Sequence, residues 1–260
     1  MIKKILVLVL LVQITFSTTS FGWGSKGHDI VAEIATRHLT PKTRKAVADI
    51  LEGKSLVYYS SWMDQIRSIP KYKHTAPYHY VNVDDGEEYT PTKIEDGGDV
   101  YTAVMESLAI LANKEITCDS TLNFHLKALI HFIGDMHCPM HAGRKSDLGG
   151  NKFPLKWFGR DTRLHAIWDS SLIESAKSWS YSEWADNIDF GSEKDSFNKY
   201  CSTTPLEWIN ETVEVARGIY DNVEIGGSYS YDYINDNYQL LEEQLKRAGY
   251  RLAFLLNSLY

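Results

Sequence analysis

The chain is poor in cysteine, with three in 260 residues: Cys118, Cys138 and Cys201. Spacing alone does not settle how so few would pair. Cys118 with Cys201 is the preferred disulfide, and Cys138, inside a histidine-rich segment, is left unpaired. Basic charge is also short: 27 Lys and Arg face 34 Asp and Glu, for a net charge of −7. That balance excludes a protein that coats nucleic acid with a broad basic surface. It leaves room for an enzyme whose positive charge comes from bound metal ions. Repeats, low-complexity tracts and obvious linkers are missing. Beyond the first residues, no segment is apolar enough to cross a bilayer.

The first residues have their own pattern. Met1-Ile2-Lys3-Lys4 makes a short positive start, and Ile5 to Ile14 is an almost unbroken apolar run. Such a run has the length of a signal-peptide core and is too short to span a membrane comfortably. Ser17 to Ser20 is polar, and Ser20 and Gly22 are small residues at the spacing a signal peptidase reads. The predicted cut falls between Gly22 and Trp23. Residues 1–22 then form a leader, and 23–260 a secreted or periplasmic domain, expected to act as a monomer away from the membrane. The competing reading is an uncleaved anchor. Export makes a disulfide permissible. Removing the leader takes away Lys3 and Lys4 and no acid, so the mature chain is more acidic still.

The remainder reads as one all-α, mainly helical domain with long loops and at most a short hairpin. Ile30, Val31, Ile34 and Ala35 recur at helical spacing over Lys26 to His38, stopped by Thr40-Pro41. Thr40 caps a second helix with Pro41 in its first turn, running to about Leu51. Tyr58 to Ser68 reads as a short helix, Pro77 to Val83 as an extended segment, and Asp84-Asp85-Gly86 as a turn. Further helices are expected over Asp99 to Asn113, Leu122 to Cys138, Leu164 to Ala176, Pro205 to Val223 and Tyr231 to Leu259. Of these, Leu122 to Cys138 is strongly apolar and expected to be central. Ala142 to Arg163 is glycine-rich and irregular, with space for a hairpin.

Nine histidines are present, several at metal-ligand spacing to aspartate. In His131-Phe132-Ile133-Gly134-Asp135 the polar side chains are four apart and share a helix face. Their surroundings are apolar, so the buried pair needs a partner or a metal. The spacing recurs in His165-Ala166-Ile167-Trp168-Asp169. Either pair alone would more often be a hydrogen-bonded helical pair; two together are a stronger signal. His141 follows just past Pro139, which ends the helix and lets the chain turn back. Asp64, His79 and His28 complete a set of imidazole and carboxylate donors without cysteine, which favours catalytic zinc. Cutting before Trp23 would free an α-amine that can chelate one ion together with the Trp23 carbonyl oxygen. The plainer reading is that Trp23 simply begins the ordered chain.

These pieces resemble the zinc-dependent single-strand nucleases of the S-one/P-one type, whose fold is similar to that of zinc phospholipase C. The matching motifs are Trp-Gly-x-x-Gly-His at 23–28, Ser-Trp-x-Asp-x-x-Arg at 61–67 and His-Tyr-x-Asn at 79–82. Then come His-x-x-x-Asp-x-His-x-Pro-x-His at 131–141, Gly-Gly-Asn at 149–151 and Leu-His-x-x-Trp-Asp at 164–169, with Ala248 to Ala253 near the end. They run in order across the whole expected mature chain, and the combination is specific where no single piece is.

The resemblance implies three zinc ions: one held by Asp64, His79, His131 and Asp135, a second by His141, His165 and Asp169, and a third by Trp23 and His28 with Asp135 shared. It implies endonucleolytic hydrolysis of single-stranded RNA and DNA to 5′-mononucleotides, with 3′-nucleotidase activity besides. The expected chemistry is attack by a metal-bridged hydroxide, with Asp135 bridging and Arg67 on the phosphoryl oxygens. Tyr80 is the candidate base platform, Asn82 a reader of a base edge, and Asn151 a positioning group. Among the other histidines, His38 and His125 are at the wrong helical phase. His74 is expected in an exposed loop, and His137 points off the ligand face.

Departures from the family pattern are also visible. Asn82 stands where the fungal enzymes carry Asp, Arg163 where Asn is usual, and Cys138 where Gln is common. The eukaryotic cysteines are largely missing, so their disulfides do not transfer. Asn210-Glu211-Thr212 is a glycosylation sequon inside an expected helix. The rival functions are a zinc phospholipase C and a non-catalytic exported zinc-binding protein.

Overall fold

A computed structural model describes residues 23–93, 97–191 and 194–260; the expected leader and its cleavage site fall outside or at the edge of these. Helices dominate. They are α1 (Ser25–Arg37), α2 (Pro41–Ile50), α3 (Leu56–Tyr59), α4 (Trp62–Ile66), α5 (Val100–Ala112), α6 (Asp119–Met136), α7 (Leu164–Ala166), α8 (Leu172–Ala176), α9 (Tyr181–Asp189), α10 (Lys194–Cys201), α11 (Pro205–Tyr220) and α12 (Tyr231–Leu259). A small sheet of β1 (Pro154–Trp157), β2 (Arg160–Arg163) and β3 (Ser228–Tyr229), ordered β2-β1-β3, completes the domain.

Local chemistry explains most of the helix ends. The Thr40 hydroxyl accepts from the Thr43 N–H at the start of α2, with Pro41 in its first turn. Asp99 with Thr102, Ser180 with Glu183, and Thr204 with Glu207 form reciprocal caps on α5, α9 and α11. Packing explains the arrangement. From Leu126 to Met136 helix α6 is buried on every side, so it can only lie in the middle. It packs against α5, α1, α3, α4 and α12. The α12 helix buries Leu241, Leu245, Ala248 and Leu252 and packs against α1. Where they cross, a side chain at Gly249 would meet Ile34 within 2.6 Å, so only glycine permits this approach.

Behind the centre of the fold runs a buried polar network. Arg251 of α12 donates to His137 Nε2 at 3.0 Å, to Glu211 of α11 at 2.5 Å and to the Tyr200 carbonyl at 2.9 Å. The His137 Nδ1–H is given to the Ile133 carbonyl at 2.8 Å. The network braces the end of α6 against α11 and α12. It accounts for His137 as a structural residue and for Arg251 within the 248–253 motif.

Several sequence expectations need correcting. The single helix from Tyr58 to Ser68 is two, α3 and α4, broken at Ser60-Ser61. The break turns the Ser60 carbonyl to His131 and its hydroxyl to Asp29. The segment expected to be extended from Pro77 starts as the end of a 3-10 helix, Pro70–His79, which also holds the exposed His74. Only Tyr80 to Val83 is extended, tied by Val81 N–H to the His141 carbonyl and Val83 N–H to the Gly143 carbonyl. The helix expected over 164–176 is interrupted by a π turn, Ile167–Ser171. The hairpin is present as β1 (Pro154–Trp157) and β2 (Arg160–Arg163), but β1 gains a parallel third strand, β3 (Ser228–Tyr229). Helices α9 and α10 were not anticipated. The preferred Cys118–Cys201 disulfide does not form: Cys118 is exposed before α6, while Cys201 is buried with its thiol against the Tyr250 carbonyl.

Gly249→Ala provides a check on the α1–α12 crossing. Helix propensity alone would make this change stabilising. The contact with Ile34 is expected to reverse the sign and cost about 1–3 kcal/mol, read from urea unfolding midpoints.

Candidate metal centre

The centre forms where α1, α4, the end of the 3-10 helix, α6 and the 164–171 segment converge on Asp135. This carboxylate is fully buried. Its Oδ2 lies 2.9 Å from His79 Nδ1 and 3.0 Å from His131 Nε2. Its Oδ1 lies 3.4 Å from His28 Nε2 and 3.4 Å from His141 Nδ1. On the α4 side, Asp64 Oδ1 is 3.7 Å from His79 Nδ1 and 3.9 Å from His131 Nε2. On the other side, Asp169 is 3.2 Å from His165 Nε2 and 3.9 Å from His141 Nε2. The residues expected at 28, 64, 79, 131, 135, 141, 165 and 169 therefore all come together.

Backbone carbonyls set the imidazole orientations. His131 Nδ1–H is given to Ser60, His141 Nδ1–H to His79, and His165 Nδ1–H to Gly149, at 2.7, 2.5 and 2.5 Å. Each ring is left with Nε2 facing the cluster, an arrangement that holds metal-binding imidazoles in one tautomer. The Gly149 carbonyl is available because Gly149 and Gly150 adopt positive φ; a side chain at Gly149 would collide with the Met140 carbonyl. That contact explains the Gly-Gly-Asn motif. Gly134 does similar work on α6. A side chain there would meet His28 Nδ1 at 2.7 Å, and the His28 ring stacks on His131 at 4.0 Å.

The N-terminal end is also tied in. Gly24 N–H donates to the Asp169 carbonyl at 2.6 Å. That carbonyl sits in the π turn, a common feature of functional sites. Trp23 is fully buried beside α1. Its nitrogen becomes an amine only if the chain is cut before it.

The donors fit cations well. Among the described residues, both His28 ring nitrogens, His79 Nε2, Asp64 Oδ1 and Asp135 Oδ1 are buried without hydrogen-bond partners. Buried polar atoms in that condition are costly unless something binds them. Three groups could each hold a metal ion, their donor atoms within 4.8 Å of one another: His28 with His131 and Asp135, Asp64 with His79 and His131, and Cys138 with His141 and Asp169. Cys138 was not anticipated as a member; its one signal in the sequence is its place three residues before His141.

Electrostatics agree with a site built for cations. Burial alone would lower His131, but Asp135 and Asp64 outweigh it and raise its pKa to about 9. Burial would raise Asp135, but His131 and His141 hold it well below the usual carboxylate range. Burial, reinforced by His131, lowers His28. Charges of both signs are held out of water and must balance.

One side of the cluster opens to a cleft of roughly 210 Å³ lined by Arg67, His79, Tyr80, Asn82, Met140, His141, Leu148, Asn151 and His165. Arg67 caps α4, with Nη1 3.7 Å from Asp64. The Tyr80 ring is substantially exposed. All the residues expected to contact substrate thus border one opening.

A helical domain around a buried cluster of imidazoles and carboxylates, open on one side to a cleft carrying arginine and tyrosine, defines a metal-centred hydrolase. The family model for S1/P1 Nuclease matches residues 23–260, and the chain belongs to that family. It is an endonuclease, and nucleic acid is its substrate. Among curated proteins it is 28% identical to Endonuclease 4 of Arabidopsis thaliana, over 92% of this chain and 89% of that one. It is 26% identical to Nuclease P1 of Penicillium citrinum, over 92% and 98%. A crystal structure of alpha-toxin from Clostridium perfringens aligns with 91% of this chain and 64% of its own, at a TM-score of 0.44 and 15% identity. Among the described residues no helix is long and apolar enough to cross a membrane.

The raised His131 has a measurable consequence. With its pKa near 9, the metal-free ring is protonated at neutral pH and must lose that proton to bind a cation. Adding metal to chelated protein at neutral pH is expected to release protons. Apparent affinity is expected to rise as pH increases and to level off near pH 9. Calorimetry in buffers of different ionisation enthalpy reads both effects.

Proposed function

We propose that the chain is exported, cleaved after Gly22, and acts outside the cytoplasm as a zinc-dependent phosphodiesterase. Residues 1–22 are the leader and 23–260 the catalytic domain. Its substrates are single-stranded RNA and DNA, released as 5′-mononucleotides, with removal of 3′-phosphates as a second activity. The observation that carries this reading is the adjacency of the buried donor cluster to the cleft bearing Arg67 and Tyr80.

Three zinc ions fit the donors. Asp64, His79, His131 and Asp135 hold one. His28 and the freed amine and carbonyl of Trp23 hold another, with Asp135 shared. His141, His165 and Asp169 hold the third. The buried orphan atoms of His28, Asp64 and Asp135 support the first two assignments. Bound zinc supplies activation of water at neutral pH and neutralises phosphate charge.

The chain's own residues do the rest. Asp135 keeps its neighbours in register through contacts to His28, His79, His131 and His141. Arg67, at the edge of the cluster, presents a planar fork suited to phosphoryl oxygens. Arg163 adds charge near His165. The exposed Tyr80 ring gives a base a flat surface to stack on, which a base inside a duplex cannot reach without leaving its stack. Asn82 and Asn151 line the same cleft and offer amides to a base edge or sugar.

Purified protein beginning at Trp23 is expected to degrade single-stranded RNA and DNA faster than duplex. Chelation should abolish cleavage and zinc restore it. Fully metal-loaded protein that cleaves neither polymer would sink the proposal. Arg67→Ala is expected to lower kcat about 100- to 1,000-fold with metal content unchanged. An unaltered kcat in that variant would remove Arg67 from phosphate binding.

A further inference from the structure

We propose that Cys138 is a thiolate ligand of the cation held by His141, His165 and Asp169. The inference rests on the reading that those residues bind a metal ion, and it adds a donor of different chemistry to them.

Cys138 is fully buried in the core, yet its sulfur has a polar neighbour. Sγ is 3.6 Å from Asp169 Oδ1. Cys138, His141 and Asp169 place their donor atoms within 4.8 Å of one another. The His141 and His165 rings lie 5.2 Å apart, and His165 Nε2 is 3.2 Å from Asp169 Oδ2. The geometry follows from the end of α6. The Cys138 N–H donates to the Asp135 carbonyl at 3.0 Å, closing the helix. Pro139 then begins a 3-10 turn, Pro139–Ala142, in which the His141 N–H returns to the Cys138 carbonyl at 2.9 Å. Cys138 and His141 are three apart around this turn, so both side chains come out toward Asp169.

The other buried cysteine gives a contrast. Cys201 directs its thiol to the backbone carbonyl of Tyr250. Cys138 instead directs its thiol to a carboxylate that has imidazoles beside it.

Ligation needs one proton to leave. The S–H proton passes to solvent as the sulfur–metal bond forms, and the hydrogen bond to Asp169 is exchanged for shared coordination. Cys138 and Asp169 then supply two negative charges against a divalent cation, with His141 and His165 neutral. Four protein donors would match the ligand number zinc prefers. A soft thiolate also selects zinc-like ions over magnesium or calcium.

Cobalt(II) is a direct probe. Protein beginning at Trp23 is stripped with chelator and reloaded with cobalt. The expected spectrum has visible ligand-field bands and a near-ultraviolet sulfur-to-cobalt charge-transfer band. Cys138→Ser is expected to lose the near-ultraviolet band while keeping the visible ones, and Cys118→Ser to keep both. X-ray absorption of the unmutated zinc protein is expected to show a sulfur neighbour at about 2.3 Å beside the nitrogen and oxygen shell. That measurement does not depend on any variant folding. Visible bands without charge transfer in the unmutated protein, and no sulfur neighbour, would overturn Cys138 ligation and leave the metal site standing. A charge-transfer band that survives Cys138→Ser would overturn it as well. Failure to take up cobalt or zinc at all would bring down the metal reading of this site together with the thiolate.

Discussion

The structure is organised around one buried carboxylate. Asp135 lies in the stretch of α6 that is buried on every side, fully removed from water. A carboxylate so placed is tolerated only when its charge is balanced nearby. The balance comes from His28 on α1, His79 at the end of the 3-10 helix, His131 one turn earlier on α6, and His141 just beyond α6. Because these donors come from separate elements, neutralising Asp135 and packing the domain are the same event. It follows that α1 must lie close to α6, and that α12 must let α1 approach through Gly249.

The irregular backbone is what aims the side chains. Regular helices consume their carbonyls internally and have none to give to imidazoles. Here the break after α3 releases the Ser60 carbonyl, the end of the 3-10 helix releases that of His79, and the left-handed Gly149 turns its own inward. The π turn gives the Asp169 carbonyl to Gly24. Each irregularity fixes a ring or a chain segment at the centre. On the opposite side, the Arg251 network performs the structural counterpart, holding His137 as a neutral acceptor away from the cluster. Two histidines two positions either side of Pro139 thus serve unrelated ends, because one faces Asp135 and the other faces Arg251.

Much of this was legible from residues alone. Periodicity located α1, α6 and α12, and the Thr40-Pro41 cap marked the start of α2 closely. The pair His131 and Asp135 read correctly because an α-helix places such residues on one face. The pair His165 and Asp169 read as the same pattern, yet a π turn intervenes, since propensity carries no signal for one diverted carbonyl. The helix over 58–68 was drawn through Ser60 for the same reason. Cys138 was set apart as a departure from a family pattern; its nearness to Asp169 is not written in its neighbours.

The sequence by itself determined the donors, the helices that carry them and the order in which they occur. Those are local properties, decided by side-chain chemistry and by spacing within a few residues. Only the tertiary structure decided that His28, His79, His131 and His141 all meet Asp135, that Arg67 and Tyr80 share a cleft, and that the Cys138 thiol faces Asp169 and not the Cys118 or Cys201 sulfur. Those outcomes depend on distances of a few ångströms between elements far apart along the chain, and such distances are set by how the helices pack.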